Sequence, residues 1–437
     1  MSAASRPPAS RPPASDPLSP SRLLAAMGGG RPRPLAEHRR HHPAPPRPGR
    51  RPDLRLIDAA TESGLRGRGG AGFPTGRKLH AVAGRRGTAL VLANGSEGEP
   101  ASRKDKTLLA QAPHLVLDGM AWAAVAVGAN QMIIGVERGT AALEHVRRAV
   151  AERTAAEPTI PTLVVEVPAH YVAGEETALV HLVNGGEAKP TLTPPRPFER
   201  GVQGRPTVVS NVETYAHLAL VLHHGPAWFR ALGTAGDPGT ALVTVSGCVH
   251  RGGVMEIPLG SSLASVIDAA GGPTGDVQAV LLGGYYGTWI GRDAARRARL
   301  SGDELKPFGA SLGCGAIVVL PADACGLTET ANVLTWMVGE TAGQCVPCVH
   351  GLAALAQGVT ELVQGRAGLD TLQSLHRWCG QIEGRGACRF PDGAVRLLRS
   401  ALTVFEEDVA RHLRRTPCLG ARLAPRMPIP ASVVGWR

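Results

Sequence analysis

The sequence predicts three successive units: an α/β unit on a parallel sheet, a small α+β unit and a C-terminal helical bundle. Two patterns carry this. Between residues 54 and 167, β-rich runs alternate with helical stretches, as in a parallel sheet covered on both faces. Beyond residue 326, helical segments follow one another between glycine-rich breaks, as in a bundle. A chain of 437 residues that is 43% hydrophobic has the material for such cores.

The elements follow in order. Residues 1–20 repeat SRPPAS and RPPAS and read as a disordered basic tail. SRLLAAM and LAEHRRHH, within 21–53, suit short helices. Leu54, Ile57 and Ala60 recur at helical spacing before a glycine-rich loop, and 77–83 suit a short helix after it. Thr88–Ala93 reads as a strand ending in Asn94-Gly95-Ser96-Glu97-Gly98-Glu99-Pro100. One long helix is expected over 107–128, a strand over 131–136, a helix over 139–154 and a strand over 162–167. The character changes near 236–242, where TALVTVSGCV, GGVMEIPLGSSLASVIDAAGG and AVLLGG read as a hairpin, a helix and a further strand. Segments 328–338, 349–363, 369–380 and 392–414 are helical in pattern.

Charge and cysteine usage narrow the function. The formal charge is +11, but +7 of it lies in residues 1–53, so the remainder is nearly balanced. A folded basic face with interleaved aromatics, the mark of a nucleic-acid binder, is missing from the sequence. No apolar run approaches the roughly 18 residues of a membrane span, and 115–128 carries Asp118 and two glycines, as a buried helix can. No cysteine precedes Cys248, and six fall between Cys314 and Cys388. Clustered cysteines without a signal peptide point to a reducing, cytoplasmic setting and to metal more than to bridges.

Chemistry concentrates in three places. Gly64–Lys78 reads GLRGRGGAGFPTGRK, with six glycines and Arg66, Arg68 and Lys78 among them. Glycine admits positive φ and close approach of a ligand to the backbone, and successive N–H groups make an anion-binding concavity. Gly67-x-Gly69-x-x-Gly72 matches the dinucleotide fingerprint, although a helix precedes it where that fingerprint follows a strand. Glu97 and Glu99 flank Gly98 at one strand end, and Glu175 and Glu176 follow Tyr171 and Gly174 at another. Ligands of open α/β sheets sit beyond such strand ends, where these carboxylates suit sugar hydroxyls or a bound ring. Cys345-Val346-Pro347-Cys348 with Cys388 offers three thiolates, as a redox pair, a zinc site completed by His350 or Cys379, or part of an iron–sulfur site. Cys248, Cys314, Cys325 and Cys418 read by default as buried structural cysteines.

ESGLRGRGGAGFPTG (62–76), NGSEGEP (94–100), YVAGEETAL (171–179), GRPTVVSNVET (204–214) and GQCVPCVHG (343–351) together resemble a known family. It is the FMN- and NADH-binding subunit of respiratory complex I, shared with NAD-linked hydrogenases and formate dehydrogenases. The resemblance runs from about 21 to about 415. It implies a Rossmann-like FMN/NADH-binding domain over 21–235, a ubiquitin-like ligand-binding (SLBB) domain over 236–325, a helical [4Fe–4S] domain over 326–420 and a tail over 421–437. It implies that Gly67, Arg68, Gly69, Gly70, Gly72 and Lys78 hold FMN, with Asn94, Glu97, Ser210, Asn211 and Thr214 lining it. Phe73 stacks on NADH, Tyr171, Gly174 and Glu175 belong to the same site, and Glu99 and Glu176 work at the nicotinamide end. Hydride then passes from NADH to FMN, and single electrons leave through a cluster on Cys345, Cys348 and Cys388 to separate iron–sulfur subunits and an acceptor such as a quinone. Neither nucleic acid nor direct membrane insertion is implied, and the subunit is cytoplasmic or peripheral to a membrane.

The sequence departs from the family pattern at four places. Ala342 stands where the first cluster cysteine is expected, and Ser96 where an aspartate is expected. Thr193-Pro194-Pro195-Arg196 replaces Lys-Pro-Pro-Phe, and Ala81 replaces a second stacking aromatic. Each lost aromatic pair is worth about 0.5–1.5 kcal/mol, so the departures weaken the NADH end more than the FMN end. They leave open an alternative, a diverged flavin-binding or structural subunit without NADH activity.

Overall fold

The computed structural model describes residues 22–27, 30–47, 49, 51–157, 160–416, 418–430 and 436. The tail expected over 1–20 lies outside them. Four parallel strands, β1 (Leu90–Gly95), β2 (Met132–Glu137), β3 (Thr162–Val167) and β4 (Thr207–Asn211), form a sheet in the order β3-β2-β1-β4. β1 and β2 are buried almost throughout, as central parallel strands covered on both faces must be. Helices Pro113–Val127 and Val212–His224 pack on it, and Tyr215 and Met120 lie in one core with Val91 and Ile134. Their approach is very close: a Cβ on Gly119 would stand 1.7 Å from the Tyr215 carbonyl oxygen.

Three expectations are corrected. The helix expected over 107–128 is two helices, Lys104–Gln111 and Pro113–Val127, broken at Ala112. Pro113 pushes the residue before it out of the α region and then opens the second helix. The segment 392–414 likewise divides into Phe390–Val404 and Glu406–Leu413, where Phe405 buries its ring against Trp289 and Gly326. Strand β4 falls in a stretch the sequence pattern leaves unassigned.

A second sheet follows, with β5 (Thr240–Gly247), β6 (Gly253–Pro258), β7 (Val277–Leu282), β8 (Thr288–Gly291) and β9 (Ala316–Pro321) in the order β6-β5-β9-β7-β8. β9 is parallel to β5, and the remaining pairings are antiparallel. Helix Leu263–Ala269, capped by Ser262, covers one face. The helices Gly326–Gly339, Ala353–Val363, Leu369–Ile382 and Phe390–Val404 share a core with Trp289, Leu281 and Val318 of this sheet. Residues of the expected C-terminal tail pack on them: Met427 is buried and Glu329 accepts from the Arg426 and Met427 amides. No helix among the described residues is long and apolar enough to cross a membrane.

An ion cluster fastens the N-terminal helix Leu35–His41 to the first unit. Asp118 lies 2.7 Å from Arg153, 3.0 Å from Arg39 and 2.6 Å from His38. Burial alone would push its carboxyl up, but Arg153, His38 and Arg39 hold it at about 2. The group therefore stabilises the fold above pH ~4, and that contribution is lost as the pH falls toward 2. Asp118→Asn leaves buried cations uncompensated and is expected to cost about 3–5 kcal/mol at pH 7. Urea unfolding should show this cost shrinking below pH ~4; a pH-independent difference would contradict the account.

Candidate functional site

The sheet order sets the site. β2 and β3 continue from one side of β1 and β4 lies on the other, so the connections diverge between β1 and β4. Ligands of open α/β sheets sit at that switch point, beyond the strand carboxyl ends. Here Ala93 pairs with Ser210 and Asn94 with Asn211. Asn94 donates to the Gly174 carbonyl (2.6 Å), and Asn211 caps helix Val212–His224 while donating to Asp105 (2.6 Å).

The glycine loop closes over this point. Its neck is an antiparallel bridge between Arg66 and Pro74, with Gly67 N donating to Phe73 O at 2.9 Å. As the sequence implies, it follows a helix, Leu54–Glu62, and leads into helix Thr75–Ala83. Gly70 and Gly72 sit at φ +105° and +61°, a region L-residues rarely enter. A Cβ on Gly69 would lie 3.2 Å from the Asn211 Cβ, whereas one on Gly72 would meet open space. The loop thus rests on β4 and presents its other side freely.

The basic side chains divide. Arg68 is buried: its amide donates to Thr214 Oγ1 (2.9 Å) and its guanidinium to Thr240 O (3.0 Å). It ties the loop to β5, so the loop's backbone, rather than this expected cation, faces outward. Lys78 remains at the strand ends, 2.7 Å from Val209 O and 3.6 Å from Glu176. Phe73 is 46% exposed, and Arg77 stacks over its ring.

The two acidic loops meet. A Cβ on Gly98 would lie 2.8 Å from the Tyr171 Cα, and one on Gly174 would lie 3.2 Å from Ser96 O. Glu99 Oε2 accepts from Tyr171 Oη (2.9 Å) and from Tyr285 N (2.8 Å) of the second unit, and Oε1 from Ala101 N (3.1 Å). Burial pushes its carboxyl up to about 7, against the pull of these donors.

Glu97 is expected to line the ligand, but both its oxygens are engaged. They accept from Ser102 Oγ and the Asp105 and Lys106 amides at the start of helix Lys104–Gln111. Glu175 likewise caps helix Glu176–Val183, accepting from the Thr177 and Ala178 amides and from Thr177 Oγ1. Of these four carboxylates, Glu176 stays partly exposed beside Lys78.

Sequence reasoning missed a buried triad under the site. Lys104 lies 2.8 Å from both Asp105 and Glu213. Burial pulls the Lys104 ammonium down, but Asp105 and Glu213 outweigh it and hold it above its ordinary value. Burial and the neighbouring Glu97 and Glu213 raise Asp105 to about 7 despite Lys104. The signal was the Arg-Lys-Asp run just after the acidic loop.

Residues and cradle suit a flavin phosphate. Gly72 faces open space, and the buried Ser96 hydroxyl has no hydrogen-bond partner in the protein. The fit to a cluster is three-quarters complete. Burial and the neighbouring Cys345 and Cys388 push the Cys348 thiol above its ordinary value. Among the described residues their sulfurs do not all lie within 4.8 Å of one another, a spacing that suits the wider span of a cluster better than a single ion. Cys379 is buried on the inner side of helix Leu369–Ile382, and His350 is exposed, so neither completes a zinc set. Ala342 borders the same core as these cysteines and offers no donor. Tyr171, Tyr286 and Phe390 form a run of ring contacts, at 4.8 and 5.7 Å, between Glu99 and the helix that follows Cys388.

Comparison with known proteins agrees with this geometry. A family described as the Nuo51 FMN-binding domain matches residues 60–220, and the NADH-ubiquinone oxidoreductase-F iron-sulfur binding region matches 328–412. The chain is 32% identical over 379 residues to an NADH-quinone oxidoreductase F subunit of Rhizobium meliloti, the one numbered 2, covering 83% of this chain and 90% of that one. It is 32% identical over 376 residues to the NADH-quinone oxidoreductase F subunit of Streptomyces coelicolor, covering 83% and 84%. A crystal structure of an NAD+-reducing [NiFe]-hydrogenase in the H2-reduced state superposes with a TM-score of 0.75 at 30% identity, over 82% of this chain. The match spans only 62% of that hydrogenase chain, under two thirds of its length.

The Glu99 carboxyl supplies a pH test. Its folded value is raised, so its contribution is full below pH ~4.5 and lost as the pH rises through about 7. Glu99→Gln cannot ionise. The unfolding free energy of the variant relative to the parent, read from urea titrations, should therefore rise between pH 5 and pH 7 by on the order of one kcal/mol per pH unit and level off above about 7. A difference that is flat across this range would refute the placement of a titrating carboxyl there.

Proposed function

The chain belongs to the family of NADH-quinone oxidoreductase F subunits, NADH dehydrogenase-type electron-transfer proteins, and on that premise we propose how its own residues serve that role. The supporting observation is the glycine cradle seated on Asn211 at the β1/β4 switch point. Held there by these residues, FMN would supply hydride acceptance from NADH and one-electron release, chemistry that belongs to the cofactor.

The protein supplies position and charge. Backbone N–H groups of Gly67–Gly72 receive the FMN phosphate, with the Lys78 ammonium adding charge from the strand side. Asn94, Ser210, Asn211 and Thr214 hold the floor on which the ring lies. Phe73 offers an exposed face for stacking a second ring. Glu99, with a carboxyl near 7, holds or gives up a proton at neutral pH next to Tyr171. Glu176 stands at the opening with Lys78. Glu97 and Arg68 act one layer back, by fixing helix Lys104–Gln111 and the loop. Cys345, Cys348 and Cys388 would hold an iron–sulfur cluster through three thiolates; with Ala342 in place of the fourth, either a substitute donor completes it or the cluster is altered or absent.

Residues 21–235 act as the FMN/NADH-binding unit and 326–420 as the helical cluster-binding unit. The five-stranded mixed sheet covered by helix Leu263–Ala269 supports a ubiquitin-like, SLBB-type unit over 236–325. Separate iron–sulfur subunits carry the electrons onward, to a quinone or to the acceptor of a hydrogenase-type assembly. The second reading, a flavin-binding subunit without NADH activity, is favoured by Ala342 and by the exposed Thr193–Arg196 segment that offers no aromatic.

One anaerobic experiment separates the two. Protein purified with FMN and reconstituted with iron and sulfide should lose its flavin absorbance on adding NADH. Cys348→Ser should lower bound iron and leave flavin content unchanged. Flavin that stays oxidised with excess NADH and NADPH selects the second reading.

A further inference from the structure

Three ligand-type side chains converge at the end of helix Gly326–Gly339 remote from Cys345 and Cys348. Cys325 caps that helix, His412 lies in the last turn of helix Glu406–Leu413, and Cys418 follows in the connection beyond it. Cys325 Sγ and His412 Nε2 are 3.3 Å apart, and the ligand atoms of all three lie within 4.8 Å of one another. Among the described residues this is the one such group of three or more. We propose that Cys325, His412 and Cys418 form a binding site for a single thiophilic divalent ion of the zinc class, distinct from the cluster cysteines.

The donor set suits that ion. Two thiolates and an imidazole are zinc's preferred donors, at about 2.3 Å for sulfur and 2.0–2.1 Å for nitrogen. Around one tetrahedral ion these lengths put the donor atoms roughly 3.5–3.8 Å apart, and here all three lie within 4.8 Å of one another. The fourth position falls to water. Binding forms two metal–sulfur bonds and one metal–nitrogen bond, and releases the two thiol protons.

The surroundings are arranged for it. Asp408, buried one turn earlier on the same helix, sets negative charge near both Cys325 and His412.

The chain after Cys418 is built to stay close. A Cβ on Gly420 would lie 2.6 Å from both Asp323 O and Cys325 N. A residue with a side chain cannot follow this path, and glycine lets the segment press Cys418 onto Cys325.

The site is independent of the cluster. Helix Gly326–Gly339 has 14 residues and spans about 21 Å, so no ion here is a misplaced cluster component. The sequence default for Cys325 and Cys418, buried structural cysteines, is therefore replaced by a shared site. An ion there would pin the C-terminal segment to the start of the bundle.

The test is a cobalt titration of the full chain after chelation and under anaerobic conditions, with cobalt as the visible probe for zinc. One equivalent should give thiolate-to-cobalt charge transfer with intense tetrahedral bands, and zinc should displace it. Cys418→Ser should weaken binding by at least tenfold with flavin content and circular dichroism unchanged. Cys418→Asp, which keeps a donor, should retain cobalt with a weaker charge-transfer band. The double variant Cys345→Ser/Cys348→Ser should keep the full spectrum. No tetrahedral spectrum in the parent would overturn the proposal. So would a spectrum that survives Cys418→Ser, one lost instead in the double variant, or a Cys325–Cys418 disulfide in protein kept anaerobic throughout.

Discussion

The adjacency of β1 and β4, running in the same direction, is the constraint on which the site depends. Parallel pairing with Asn94 opposite Asn211 brings two sets of strand ends to one edge. The chain leaves them in different directions and opens a crevice there. Each element of the site is placed against that edge. The glycine loop touches Asn211, Lys78 reaches Val209, and Asn94 holds the loop that carries Gly174 and Glu175. The glycines are needed because Gly69 packs directly on a strand-end residue while Gly70 and Gly72 turn through left-handed geometry. A side chain at these positions would lift the loop away from the strands.

Below that edge the interior is charged, and the charges are paired. Lys104, Asp105 and Glu213 compensate one another where no water reaches. Removing one member of such a set typically costs about 3–5 kcal/mol, because the others remain buried and unpaired. Glu99 is the exception. It receives three neutral donors and no cation partner, so its carboxyl rises toward neutrality. It also joins the units, since Tyr171 follows β3 of the first sheet and Tyr285 lies between β7 and β8 of the second. From Tyr171, ring contacts lead through Tyr286 and Phe390 toward the three thiols. The crevice and the cysteine region are thereby mechanically one assembly, with a titrating group at the joint.

Much of this was legible in the sequence because it rests on local pattern. Alternating apolar runs mark β1, β2 and β3, and helical spacing marks Leu54–Glu62. Six glycines in fifteen residues mark the loop. Non-local pairing was not legible. Strand β4 is short and continuous with a helix, so no period sets it apart, and β9 takes its central place only through partners distant in the chain. The breaks at Ala112 and Phe405 come from a proline's effect on its neighbour and from one buried ring. Side-chain roles were the least legible. Arg68 and Glu97 have the residue types of ligand contacts, yet burial turns one toward Thr240 and the other onto a helix start. Cys325 and Cys418 are 93 positions apart, and no spacing rule joins them.

The claim that the loop and the strand ends make one flavin cradle is tested most directly by FMN binding to apoprotein, followed by quenching of flavin fluorescence. The account predicts one FMN per chain for the parent. Gly70→Val, at a backbone angle that valine resists by about 1–3 kcal/mol, should weaken binding at least tenfold without lowering the unfolding midpoint in proportion. Parent protein that binds no FMN, or a Gly70→Val variant that binds it as tightly as the parent, would contradict the account.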